Sequence, residues 1–462
     1  MNIILKMLFV MICMVILSQC KKDSETYISI PNKNFLESLV INNVDKNGDG
    51  FISSEEAEEV TLLKVNNFGI TDLKGIENFT NLIGLDCSSN QLTNLDLSSN
   101  SLLSQLNCSF NSISNLNIAG NPMLNRLECR QNELSMLDLS MNRQLSWLDC
   151  GWNALTELDL SNNPELNNLV CDFNSLSMLD VTNNVKLTLL YCGYNSLSSL
   201  NLSNNSILKS LYLEHNLFQE LDLSDNPALY SLGCWNNLLT HLVISGNPEL
   251  NYLECGENML TSIDISNNPV LESLGCEGNQ LRSLDISANS ALKFLGCNNN
   301  LLTKLELFNN PALETVLCEK NKLTFLSFPN NPELKELFCN SNSITGIDIS
   351  RNQKLIWLRC SNNLLSNLDL SNNPELSSLY CEGNLLNKID LSFLPKLSIL
   401  SCNGNLFSTL DIRNNKALKL INIVSMPSLF KICVWTIPFP PTGTEVYSDN
   451  SPNIYFTTDC SR

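Results

Sequence analysis

The sequence predicts a repeat solenoid, mostly β, in which one small unit is stacked many times into a rod of parallel strands. The 21-residue unit at Leu145–Glu165, LSWLDCGWNALTELDLSNNPE, returns in register from Leu82 to Ala417, which makes sixteen copies. Each copy is two near-copies. The first half reads L-x-x-L-x-C-x-x-N-x, as Leu145, Leu148, Cys150 and Asn153, and the second reads L-x-x-L-D-L-S-x-N-P-x, as Leu155, Leu158, Leu160 and Asn163. Neither half can bury its own apolar residues, so copies must stack and share a continuous core. L-x-L alternation, short Asn turns and proline in the second bend (Pro122, Pro164, Pro227, Pro248) give both halves an extended backbone with no helical period.

L-x-x-L-x-L-x-x-N-x-L resembles the leucine-rich repeat signature, and alternation of a Cys half with a D-L-S half is similar to a bacterial subclass with nested periodicity. The resemblance implies a binding scaffold whose partner is set by exposed positions rather than by the fold. The two halves are nearly equal in bulk, so weak curvature is expected.

With 28 Lys+Arg against 47 Asp+Glu the net charge is −19, which argues against nucleic acid or an anionic membrane surface as partner. Residues 1–19 carry Lys6 and an apolar run from Met7 to Leu17, too short for a spanning helix, and read as an export signal. Leu17-Ser18-Gln19-Cys20 resembles a lipobox. That resemblance implies lipidation of Cys20, a charged tether over 20–31, and an outer-membrane lipoprotein at the cell surface that touches the membrane through its lipid alone; the alternative is an ordinary secretory signal with an incidental Cys20.

Residues 32–59 hold the clearest chemical motif, Asp45-Lys46-Asn47-Gly48-Asp49-Gly50-Phe51-Ile52-Ser53-Ser54-Glu55-Glu56. It is similar to an EF-hand loop. The similarity implies structural calcium held by Asp45, Asn47, Asp49, the Phe51 carbonyl, Ser53 through water, and Glu56 with both carboxylate oxygens. Phe35, Leu36, Leu39 and Val40 space as a helical stripe before the loop, and Ser53 with Glu56 forms a capping box for a helix after it. Residues 60–81, with Leu63, Val65, Ile70, Leu73 and Ile76, form an entry coil, and this small helical EF-hand-like module caps the open end of the array.

Within the array of residues 82–417, the copies separate what the stack demands from what it leaves free. The first Asn column runs without exception from Asn90 to Asn405, and the second, Asn100 to Asn415, fails only at Leu394. Asn tolerates left-handed backbone and its amide satisfies backbone groups at turns, so both columns are expected to form hydrogen-bonded ladders in the bends. Fifteen of nineteen cysteines fill one column from Cys87 to Cys402, with Leu213 as the single substitute. A position that accepts Leu is a core position, so these are expected to be buried free thiols rather than metal ligands. Cys433 and Cys460 stand outside the column in the C-terminal cap, 418–462, where a disulfide between them is one option.

The D-L-S half carries an exposed column that is Asp in eleven of sixteen copies, from Asp96 to Asp411, followed by an almost uniform Ser column, which suits a solvated acidic stripe that resists edge association, and a monomer is expected. The Cys half varies and is rich in rings: Trp147, Trp152, Phe173, Tyr191, Tyr194, Tyr212, Trp235 and Tyr252 form its densest stretch. Rings on a regular sheet bury much area at low entropic cost, which is what a recognition surface needs. His215 and His241, the two histidines, have no nucleophile or metal-ligand spacing around them, and no phosphate-cradling glycine loop occurs, so no enzymatic activity is expected. The leading expectation is a surface-anchored protein mediating protein-protein recognition or adhesion. A glycan-binding accessory lipoprotein and a structural spacer of the cell envelope are the alternatives.

Overall fold

The structure is a computed structural model and describes residues 26–460. The export segment, Cys20 and the start of the tether lie outside the described residues. The chain divides into two compact units, one ending at Asn184 and the other beginning at Val185.

The first unit opens with two short helices, α1 (Lys33–Ile41) and α2 (Ser54–Glu58). Asn32 caps α1 by accepting from the Phe35 amide at 2.9 Å, and Phe35, Ser38 and Leu39 are its fully buried positions. Ser53 and Glu56 form the reciprocal capping box at the start of α2. The module is fastened to the entry coil by side-chain amides: Asn34 Nδ2 donates to the Gly69 carbonyl (2.9 Å), Asn42 Nδ2 to that of Lys64 (2.8 Å), and Asn81 Nδ2 to that of Glu58 (2.8 Å). These bonds satisfy backbone groups that a bare first coil would leave open. Six parallel strands then follow in register: Leu62–Lys64, Gly84–Asp86, Gln105–Asn107, Arg126–Glu128, Trp147–Asp149 and Asn168–Val170.

The second unit repeats the pattern through thirteen strands, from Leu189–Tyr191 and Ser210–Tyr212 to Leu420–Asn422 and Glu445–Tyr447. The D-L-S half is extended but pairs into strands only locally, as Leu95–Asp96 with Leu116–Asn117, Glu220–Asp222 with His241–Val243, and Phe325–Ser327 with Gly346–Asp348. At the C-terminal end Thr409–Asp411, Lys431–Cys433 and Tyr455–Thr457 pair as three. The fold is therefore a parallel β-solenoid with little helix. Coils continue beyond Ala417 into the segment expected to be a cap, where Leu420 pairs with Glu445 and Lys431 with Tyr455. The last coils are longer than 21 residues, which is why the period hides them. There Cys433 and Cys460 are joined by a disulfide with Cα atoms 5.9 Å apart.

The fifteen column cysteines are free and buried, and Leu213 is equally buried among them. Burial pushes up thiols along the ladder, among them Cys87 and Cys276, and that of Cys108 to about 12, so thiolate chemistry is suppressed there. The two Asn columns make different ladders. In the first, Asn279 Nδ2 donates to the carbonyls of Cys255 (3.0 Å) and Cys276 (3.1 Å), while its Oδ1 accepts from the Leu260 amide (2.9 Å). In the second, Asn268 has no exposed surface, and its Nδ2 donates to the carbonyls of Ile244 (3.1 Å) and Asn247 (2.8 Å). Each rung thus ties a coil to the one before it, and each bond contributes on the order of 1 kcal/mol net.

Left-handed backbone is not a property of the Asn columns. It falls one residue before the first of them, at every coil from Ser89 to Gly404. The cost of about 1 kcal/mol for a non-glycine residue there is offset because the amide of that residue reaches the next coil, as Trp152 N reaches the Asp172 carbonyl at 2.8 Å. The Asp column is exposed as expected, with an added structural task. Asp138, for example, accepts from the Ser140 amide at 2.9 Å, which closes the turn, and hydrogen bonding to Ser140 holds its carboxyl below the usual range.

Candidate functional site

The loop between α1 and α2 is built by its own carboxylates. Asp45 accepts from the amides of Gly48 (2.7 Å) and Gly50 (2.9 Å), Asn47 Oδ1 from Asp49 (2.9 Å), and Asp49 Oδ1 from Phe51 (2.9 Å). Gly50 turns the chain with φ +83°, a conformation that a side chain would strain. The segment before α1 completes the loop: Tyr27 bridges Ser53 in antiparallel fashion, the Ile28 amide donates to the Ile52 carbonyl (2.9 Å), and the Tyr27 hydroxyl donates to Asp49 (2.8 Å).

Glu56 is turned toward its own helix cap. One oxygen accepts from the amide and hydroxyl of Ser53 (2.8 and 2.9 Å) and the other from the Lys46 amide (2.8 Å). Burial pushes its pKa up, but these hydrogen bonds outweigh burial and hold it below the ordinary value. Among the described residues no three acidic, His or Cys side chains gather closely enough to hold a metal ion. The donor set is nonetheless oxygen throughout and the glycine turn is in place, so the residues fit a hard cation once Glu56 leaves the Lys46 and Ser53 amides.

The rings of the Cys half are less free than their sequence positions suggest. Trp147, Phe173, Tyr191, Tyr212, Trp235 and Tyr252 are half-buried, while Trp152 and Tyr194 are exposed. Nor do all of them lie on strands. Trp152, Phe173 and Tyr194, with His215 after them, occupy the left-handed bend position at φ +54°, +51°, +54° and +53°. They pair there: Trp152 stacks on Phe173 with centroids 4.0 Å apart, and Tyr194 on His215 at 4.1 Å.

Two charged clusters that sequence reasoning missed surround these rings. In the first unit Arg126 lies 4.2 Å over the Trp147 ring, and Arg130 grips Asp172 through two bonds of 2.9 Å while also reaching Asp149 at 3.5 Å. Burial raises the carboxyl of Asp149 despite that arginine. In the second unit Tyr212, Trp235 and Tyr252 share an open groove of about 410 Å³ with Glu214, Glu254 and Glu277. Burial first, and then the charge of Glu277, push Glu254 up to about 7. Burial and the neighbouring Glu254 take Tyr252 to about 12. Spacing held the signal, since Arg130 and Asp172 are 42 residues apart, which is two repeats.

No protein-family profile and no curated protein matches the chain. Solved structures do match. The chain is 28% identical to the functional domain of InlJ from Listeria monocytogenes, which includes a cysteine ladder, over 91% of this chain and 82% of that one, with a TM-score of 0.54. A leucine-rich repeat protein from Leptospira interrogans is 23% identical over 75% of this chain and 97% of its own, with a TM-score of 0.69. YopM from Yersinia enterocolitica is 21% identical over 95% and 98%, with a TM-score of 0.59. The last two show the fold alone. The chain is thus a leucine-rich repeat protein with 21-residue repeats and a cysteine ladder, similar in architecture to bacterial internalins.

Proposed function

We propose that the protein is a binding scaffold exported to the cell surface and held there by lipid on Cys20, recognising another protein through the aromatic face of its Cys half. The observation that carries this reading is the set of rings held at left-handed bend positions in each unit, Trp152 and Phe173 in the first and Tyr194 and His215 in the second. Glycine fits that conformation at no steric cost, and Gly278, Gly383 and Gly404 take it in other coils. Rings that are costly to the backbone and lie outside the core are explained by a use at the surface. Cross-linked capture from envelope and host extracts tests it. Capture should be lost in a Trp152→Ala/Tyr194→Ala variant and kept in an Asp138→Asn/Asp159→Asn variant of the opposite half. Equal capture by both variants would overturn it.

Calcium belongs to the same reading as a structural clip. Asp45, Asn47, Asp49, the Phe51 carbonyl, Ser53 and Glu56 would hold the ion and stiffen the cap on the entry coil. Calcium at a hundredfold excess over its dissociation constant should stabilise the chain by about 2.7 kcal/mol, read as a higher melting temperature than in chelator. Identical melting in both would remove the claim.

A further inference from the structure

Because the strands of the second unit pair in register, residues 21 apart stand side by side, and Tyr212, Gly233, Glu254 and Gly275 form one column of the Cys-half face. Two residues further along each coil, Glu214, Trp235, Gly256 and Glu277 follow the same spacing. In both columns glycine separates large side chains, and each glycine is covered by its neighbours. A Cβ on Gly233 would stand 2.7 Å from the Tyr212 ring, and one on Gly275 would stand 2.2 Å from Glu254 Oε1. A Cβ on Gly256 would meet both Trp235 (2.9 Å) and Glu277 (3.0 Å). The glycines therefore make room for Glu254 and Glu277 to lie down among rings, and the groove is a built feature rather than a gap between coils.

The first unit uses the same device with a different outcome. A Cβ on Gly151 would collide with Asp172 at 2.3 Å and with Arg130 at 2.6 Å, because that pair closes over the glycine. There the chain supplies its own cation. Among the described residues no Lys or Arg pairs with Glu254 or Glu277, and the ion pairs of the second unit, such as Lys293 with Glu272 and Lys335 with Glu314, lie elsewhere. Two half-buried carboxylates beside each other resist full ionisation until a cation arrives.

We infer that this groove receives one basic side chain, Lys or Arg, from a protein partner, with Glu254 and Glu277 pairing its charge and the faces of Trp235 and Tyr252 packing against it. Aromatic faces attract cations electrostatically, and Arg in particular stacks on them. A neutral sugar would leave both carboxylates desolvated with no counter-charge. The net charge of −19 steers a basic partner toward the whole chain. The raised pKa of Glu254 agrees with a carboxylate still waiting for its cation. The inference rests on the reading of the Cys half as the binding face.

The test titrates the full chain with acetyl-arginine amide and with acetyl-citrulline amide, which has the same shape without the charge. The indole proton resonance of Trp235, assigned with Trp235→Phe, reports binding. Arginine should bind about tenfold or more tighter than citrulline. That preference should vanish in Glu254→Gln/Glu277→Gln and persist in Asp138→Asn/Asp159→Asn. Glu254→Lys, which brings its own cation, should also lose arginine binding while melting no lower than the parent chain. Equal affinity for the two probes, or a preference that survives Glu254→Gln/Glu277→Gln, would overturn the inference. Protein capture that depends on Trp152 but is unmoved by Glu254→Gln/Glu277→Gln would overturn this site while leaving the binding face standing.

Discussion

Around Gly151 and around Gly256 the same coil geometry holds charged groups over a glycine, yet one cluster is closed and the other is open. At Gly151 the guanidinium of Arg130 spans to Asp172 and also serves Asp149, so three half-buried charges share one network. At Gly256 the neighbours are Trp235 and Glu277, with Glu254 alongside and no Lys or Arg among the described residues that line the groove. The difference teaches that the scaffold itself does not demand neutrality at these positions. A closed cluster holds coils together, whereas an open one costs stability and keeps a surface ready for something else.

The largest effect is expected where the closed cluster is opened. Arg130→Ala leaves Asp149 and Asp172 beside each other without a cation, and should cost up to about 3 kcal/mol, the lower end of the range for breaking a buried pair because this one is partly exposed, read from the urea midpoint. Closing the open cluster should act in the other sense. Glu254→Gln/Glu277→Gln removes like-charge repulsion and should raise stability by about 1 kcal/mol.

The same pair predicts a pH dependence. Glu254 has a folded pKa of about 7, above its ordinary value of 4.5, so the folded chain holds the proton more tightly than the unfolded chain does. Its contribution should therefore be greatest below about pH 4.5 and fall as pH rises toward 7. Melting curves across that window should slope downward in the parent chain and lose this slope in Glu254→Gln. A flat profile in the parent chain would break the comparison. The smallest effect is expected at the bend: Trp152→Gly relieves about 1 kcal/mol of left-handed strain but loses a stack of about the same size. Its stability should stay within about 0.5 kcal/mol of the parent, whereas capture of a partner should drop.

Much of the fold was legible from the period alone. Any residue that recurs every 21 positions in a stack must do the same job in each coil, so Leu and Cys had to be core and Asn had to be ladder. The capping box of Ser53 and Glu56 was legible too, because it needs only residues three apart. The left-handed position was not, since the residue types there range from Ser89 to Trp152 to Lys320 and the conformation is imposed by amides that bond the next coil. The final coils escaped because the Leu420 to Glu445 step exceeds the repeat. The ion pair of Arg130 and Asp172 escaped because x positions look free when coils are compared one against the next, and this pair skips a coil.

The sequence by itself determined the solenoid, its core columns, its two ladders and the oxygen-rich loop of residues 45–56, because each follows from a local pattern or from strict repetition. Only the tertiary structure decided which variable side chains meet, since that depends on neighbours in register across coils and on glycines that clear the space between them. It turned Glu56 toward its helix cap, set Arg130 against Asp172, and placed Glu254 and Glu277 in one groove with Tyr212, Trp235 and Tyr252.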